Sequence, residues 1–133
     1  MKNVFKIGDK QEYRRVVELS DVASFHGEIV HPVCATFALA RYIEWTSRQF
    51  VLEMRDEDEE GIGTLLTINH QGPAFVGEEL VFTAWVHQLN GHELICSYEA
   101  TVENRLIASG KTGQKILKRE KINKLFKSPR ESD

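Results

Sequence analysis

"HPVCATFALARYIEW", residues 31–45, decides the reading of this chain. It opens like a loop and continues like a buried helix. From it onward, Ala35, Ala38, Leu39, Tyr42, Ile43, Phe50 and Val51 recur at helical steps, with Arg41, Arg48, Gln49 and Glu53 between them. The pattern predicts a helix from about Ala35 to Met54. Pro32 stands where a helix can soon begin but cannot extend backward. The acidic run "RDEDEEGIG" (55–63) ends it, because carboxylates disfavour the negative end of a helix dipole and Gly61 offers a cap. A calcium loop would need a spacing that this run lacks.

After Gly63 the hydrophobic period changes to two. "TLLTINH" (64–70), "ELVFTAWVHQL" (79–89), "ELICSYEATVE" (93–103) and "LIASGKTGQKIL" (106–117) read as four strands rich in β-branched and aromatic residues. Asn90-Gly91 and Asn104-Arg105 join the last three, and Asn-Gly is a strong hairpin signal. Before the helix, "QEYRRVVEL" (11–19) suits an exposed strand, and "SDVASFHGEIVHPV" (20–33) reads as a surface loop with one helical turn. Residues 1 to 10 read as a loosely held arm. The tail "KREKINKLFKSPRESD" (118–133) predicts a short amphipathic helix through Ile122, Leu125 and Phe126, then fraying. One strand, one long helix and four antiparallel strands make an α+β domain of the hotdog arrangement, a sheet wrapped around a central helix. One domain over residues 1–133, with its core at about 11–117, accommodates the whole pattern.

The 41% hydrophobic and 28% charged residues suit a globular protein, and the net charge of −3 gives no general pull toward nucleic acid or an anionic membrane. No apolar stretch approaches the ~20 residues of a membrane-spanning helix, and the opening residues form no signal peptide, so cytoplasmic residence is the expectation. Cys34 and Cys96 lack CxxC spacing and read as two reduced, half-buried thiols. The five histidines hold no i,i+4 pair, so neither a metal nor another cofactor is expected.

What remains for chemistry is a scattered polar set. Glu44 sits between Ile43 and Trp45, beside the apolar stripe, where a carboxylate needs a partner or a purpose. Its plain alternative is to reach out beside Arg41 or Arg48. Thr36 stands at the helix start, as an N-cap or as a reactive-site hydroxyl. His70 ends a strand before Gly72-Pro73. Histidine titrates near pH ~6.5, which suits acid–base work. Thr36 and Glu44 lie ~12 Å apart along a straight helix and cannot touch. Either Thr36 precedes the regular helix and folds back, or the site is assembled across a subunit boundary.

"HPVCATFALARYIEW", "GIGTLLTINH" (61–70) and "GPAFVGEELVFTAWVHQLNGHELICSYEA" (72–100) resemble the hotdog thioesterases of the fluoroacetyl-CoA thioesterase-like family. The resemblance covers roughly residues 11–117. It implies a catalytic set of Thr36, Glu44 and His70, at the family's spacing, with Gly63 as the glycine at the substrate. It further implies hydrolysis of a small acyl-CoA to free acid and coenzyme A, and a homodimer with the site at the seam. Coenzyme A would lie over basic residues at the rim, for which Arg105, Lys111 and Lys115 are candidates. The departures bear on substrate. Gly27 and Val30 occupy the places of the family's fluorine-recognising phenylalanines, with Phe25 close by, and Gln114 replaces an arginine on the last strand. Fluoroacetate is therefore not the expected substrate. The rival reading is a non-catalytic hotdog that binds acyl-CoA or another small ligand. The hydratase branch of the fold ranks third, because its Asp/His pairing is not evident in this chain.

Overall fold

The change of period after residue 54 becomes an antiparallel sheet curled around one helix in the computed structural model, which describes residues 1–127. The elements run β1 (Lys10–Val16), a 3-10 turn (Leu19–Asp21), β2 (Val22–Phe25), β3 (Glu28–Cys34), α1 (Thr36–Met54), β4 (Glu59–Leu66), β5 (Asn69–His70), β6 (Glu79–Asn90), β7 (Glu93–Val102), β8 (Arg105–Lys118) and α2 (Arg119–Leu125). The main sheet has the order β1-β6-β7-β8-β4, with β5 also paired to β8. This is the hotdog fold.

Helix α1 turns Leu39, Ile43, Phe50 and Val51 into the sheet, where Phe82, Leu94 and Ile116 meet them fully buried. Each such side chain contributes about 1.5–3 kcal/mol by leaving water. The opposite face of the helix keeps Phe37, Arg41, Glu44 and Trp45 exposed. Strand β4 forms one edge of the sheet, so one side of its backbone has no strand beside it.

Several expectations change. Residues 22–34 are a hairpin rather than a loop: β2 pairs with β3 around His26 (φ 53) and Gly27 (φ 82), a left-handed turn of the kind that suits a two-residue connection. Only its base, at Val22 and Cys34, is buried, so neither strand alternates apolar and polar residues clearly. The arm is anchored, with the Lys2 amide donating to Met54 O at 2.6 Å and Phe5 standing edge-on against Phe50 at 4.9 Å. Arg55, in extended conformation, caps α1, while Gly61 lies inside β4, which begins five residues before the predicted Thr64. Glu59 can open that strand because its buried carboxylate accepts the Asp56 amide at 2.9 Å.

Of the tail's three apolar residues only Ile122 is buried, and the predicted fraying falls on 128–133, outside the described residues. The two thiols are fully rather than half buried, and burial pushes both up to about 12, which keeps them protonated.

Candidate active site

Thr36 is the first residue of α1. It is not the cap: Ala35 holds that position in extended conformation and offers no side-chain hydrogen bond. The fold-back route to Glu44 is thereby closed, since both residues belong to one regular helix. The first-turn N–H groups from Thr36 onward have no intrahelical acceptor, and they sit at the positive end of the helix dipole.

The segment entering the helix is held from two sides. The Cys34 amide donates to Ala74 O and the Ala35 amide to Asp21 O, each at 2.8 Å. Asp21 is itself buried. Its carboxylate accepts the Tyr42 hydroxyl, the Glu18 amide at 2.9 Å and the Arg15 guanidinium twice at 3.2 Å. Burial raises the Asp21 carboxyl, but these donors and the Arg15 charge outweigh it and hold the group below the usual carboxylate range. Burial first, then the bond to Asp21, pushes Tyr42 up to about 12.

His70 arrives on β5, paired to Ala108 of β8. The link from β4 to β5 is latched at Thr67. Its carbonyl accepts the Tyr98 hydroxyl at 2.7 Å, and its hydroxyl accepts the Lys111 amide at 2.9 Å. Gly110 permits this approach, because a Cβ there would meet the Thr67 carbonyl oxygen at 2.1 Å. The outcome is a contact between residues 34 apart in sequence: Thr36 Oγ1 and His70 Nδ1 lie 2.9 Å apart and share a hydrogen bond. With neutral imidazole protonated at Nε2, Thr36 donates to Nδ1; with imidazolium, Nδ1–H donates to Thr36.

Glu44 lies elsewhere. It is exposed, two turns further along α1, and its carboxylate makes no hydrogen bond or ion pair among the described residues. Neither neighbouring arginine holds it: Arg48 pairs with Glu60 at 3.1 Å, and the Arg41 side chain has no partner among the described residues. Glu44 instead lines a cleft of about 490 Å³ between α1 and strands β4 and β8, together with Trp45, Gly63, Thr112 and Gln114. A Cβ on Gly63 would meet nothing within 4 Å, so the space beside it is open. One chain thus joins Thr36 to His70 and Glu44 to Gly63, but not the two pairs to each other.

Arg105, Lys111 and Lys115, the residues expected at the rim, do not line this cleft. Arg105 is engaged by Glu78 and donates to Pro73 O at 3.1 Å. Lys111 and Lys115 are exposed, and strand alternation sets them on the face opposite Thr112 and Gln114. Arg41 and Arg48 line the cleft in their place. Sequence reasoning also passed over Thr112, whose signal is the inward polar run Thr112, Gln114 ahead of Ile116 at period two.

No described helix is long and apolar enough to cross a membrane, and no group of three metal-binding side chains occurs among the described residues. No curated protein matches the chain. Among solved structures it is similar to a thioesterase-superfamily protein of Thermus thermophilus, with 29% identity over 93% of this chain and 92% of that one and a TM-score of 0.88. It is similar in fold to the fluoroacetyl-CoA thioesterase, at 20% identity over 96% and 100% of the two chains and a TM-score of 0.84. Variants of that enzyme have been solved with fluoroacetate and CoA, and with acetyl-CoA. A hot-dog-like protein from Thermanaerovibrio acidaminovorans follows, at 16% identity over 93% and 95% and a TM-score of 0.82. The model of one family, fluoroacetyl-CoA-specific thioesterase, matches residues 17–120, which take in the helix, the Thr36–His70 pair and the Glu44 cleft. The chain belongs to the fluoroacetyl-CoA-specific thioesterase family.

Proposed function

We propose that this protein is a thioesterase that hydrolyses a small acyl-CoA to the free acid and coenzyme A, in a site shared between two copies of the chain. The observation that carries the reading is the Thr36–His70 hydrogen bond at the open end of α1, 2.9 Å long. A thioester needs its carbonyl polarised and its leaving group protonated. The Thr36 hydroxyl and the free N–H groups of the first helical turn suit a developing oxyanion. His70 suits the proton transfers. The third requirement is a carboxylate that activates water or attacks directly, and Glu44 is exposed and unpaired among the described residues.

Because Glu44 lies two turns from Thr36 on the same rigid helix, the carboxylate serving one Thr36–His70 pair comes from a second copy. The edge of β4 and the exposed apolar residues Trp45, Leu52 and Leu65 beside the cleft supply a surface for that copy. A homodimer is the smallest assembly that completes the site.

The test is thiol release from acetyl-, propionyl-, hexanoyl- and palmitoyl-CoA by the purified protein, with its mass in solution measured by sedimentation. Turnover of the short esters by a dimer, falling as the chain lengthens, is expected. Binding of acyl-CoA without turnover would replace this reading by the ligand-binding one. Activity that rises toward palmitoyl-CoA would overturn the small acyl group, and a fully active monomer would overturn the shared site.

A further inference from the structure

We infer that the acyl group taken by the Glu44 cleft carries a hydroxyl, so that the substrates are short hydroxyacyl-CoA thioesters; the inference rests on the thioesterase reading above. The floor of the cleft is polar where a plain acyl pocket is apolar. Thr112 is 2% exposed, faces inward from β8, and its hydroxyl has no hydrogen-bond partner among the described residues. Its cross-strand neighbour Cys96 is a buried thiol. Burial pushes that thiol up to about 12 and the Thr112 hydroxyl draws it down, but their contact does not meet hydrogen-bond geometry.

Two residues further on, Gln114 is 8% exposed, and its Nε2 donates to Ser47 Oγ at 3.2 Å. Ser47 spends its own hydrogen on the Glu44 carbonyl at 3.2 Å, so it can only accept from Gln114, which fixes the orientation of the amide. The amide oxygen is left free beside Gly61, 3.3 Å from where a Cβ on that glycine would stand. The floor therefore carries one acceptor, Gln114 Oε1, and one group that both gives and takes, the Thr112 hydroxyl. That hydroxyl is closed to solvent against Cys96 and meets a ligand by turning about its Cα–Cβ bond.

A ligand group that satisfies both must have a hydrogen for Gln114 and, for Thr112, a lone pair or a second hydrogen. An ammonium could give two hydrogens but would enter a cleft lined by Arg41 and Arg48, which leaves a group with a hydrogen and a lone pair. A hydroxyl has both. A methyl group has neither, and leaves two buried polar groups unmatched at a cost. A fluorine or a ketone can accept but has no hydrogen to give. A carboxylate has none either, and sets a second acceptor against Gln114 Oε1. Sites built to hydrogen-bond a substrate hydroxyl reject the analogue that lacks it far better than apolar pockets reject an added one. Thr112 and Gln114 are thus specificity-determining residues, distinct from those that act on the thioester.

The experiment compares kcat/KM for two matched pairs, 3-hydroxybutyryl- against butyryl-CoA and 2-hydroxypropionyl- against propionyl-CoA. The wild-type protein should prefer the hydroxyl-bearing member of at least one pair by about tenfold or more. Thr112→Val, which keeps shape and removes the hydroxyl, should collapse that ratio toward one, and Thr112→Ser should retain it. Ready hydrolysis of butyryl- and propionyl-CoA with no preference for either hydroxyacyl ester would overturn this inference and leave the thioesterase reading standing. So would a ratio that survives in folded Thr112→Val. Should that variant fail to fold, the wild-type ratio decides alone. No turnover of any of the four esters would overturn both.

Discussion

The Thr36–His70 corner and the Glu44 cleft lie on one helix and are built in opposite ways. In the corner, four segments converge. The 3-10 turn at Asp21, the loop at Ala74, the latch at Thr67 and strand β8 fix two side chains in mutual contact. In the cleft, and among the described residues, the Glu44 carboxylate has no polar partner, a Cβ on Gly63 would meet no neighbour within 4 Å, and the Thr112 hydroxyl has no hydrogen-bond partner. The corner is finished within one chain, whereas the cleft is furnished for something from outside it. In this reading a second copy brings its corner to the cleft, and the substrate fills the space between them. Positioning stays with the scaffold, and the open partners are left for the ligand.

That contrast predicts graded effects. His70→Ala should remove the acid–base group and cost on the order of 100-fold or more in turnover. Glu44→Ala should be at least as damaging, although the side chain it removes has no hydrogen-bond or ion-pair partner among the described residues. Steady-state hydrolysis of acetyl- and propionyl-CoA, with thermal melts to exclude unfolding, checks both; near-normal turnover in the two folded variants would void the assignment. Thr36→Ala should be milder, about tenfold, if the hydroxyl polarises the carbonyl and orders the histidine, and the same assay reads it.

Gly63→Ala separates folding from function. Nothing among the described residues opposes the added methyl group, so stability should stay within about 0.5 kcal/mol, while kcat/KM falls because the methyl occupies the substrate's approach. A variant equally stable and equally active would remove Gly63 from the site.

The smallest effect on catalysis belongs to the support beneath the corner. Asp21→Asn should destabilise the protein by about 1–3 kcal/mol, through lost charge-assisted bonds from Arg15 and Tyr42. The Asp21 carboxyl is held below its ordinary range in the folded protein, so its contribution is fully present above the unfolded value of ~3.9. That contribution is lost as pH falls through the lower folded value. Denaturant melts of wild type and variant should therefore differ by a constant amount between pH 5 and 8 and converge in acid.

Much of this was legible in the sequence. The helix from Ala35 to Met54 stood out because Leu39, Ile43, Phe50 and Val51 repeat the core contact at helical steps, and the strands after it because their inner residues alternate. Thr36, Glu44 and His70 were marked by polar chemistry inside apolar elements and by family spacing. The hairpin at 22–34 was hidden because most of β3 faces water and β2 buries only Val22, and without a buried side there is no alternation to read. The start of β4 was hidden because Glu59 enters the core as an acceptor for a turn amide, a use of glutamate that composition does not signal. The partition of the site was half legible. The ~12 Å of helix between Thr36 and Glu44 was countable, but which of them meets His70 depended on the Thr67 latch, a contact between distant strands.

The shared site is tested most directly by mixing subunits. His70→Ala and Glu44→Ala chains, carrying different tags, are co-expressed, and the doubly tagged dimer is isolated beside the two single-variant dimers. If each site takes Thr36 and His70 from one chain and Glu44 from the other, one site of the mixed dimer carries both substitutions and the other carries neither. The account predicts that this dimer recovers about half the wild-type turnover while both parent variants remain at the hundredfold-reduced level or below. A mixed dimer as inactive as its parents would place all three residues in one chain's site and contradict the account.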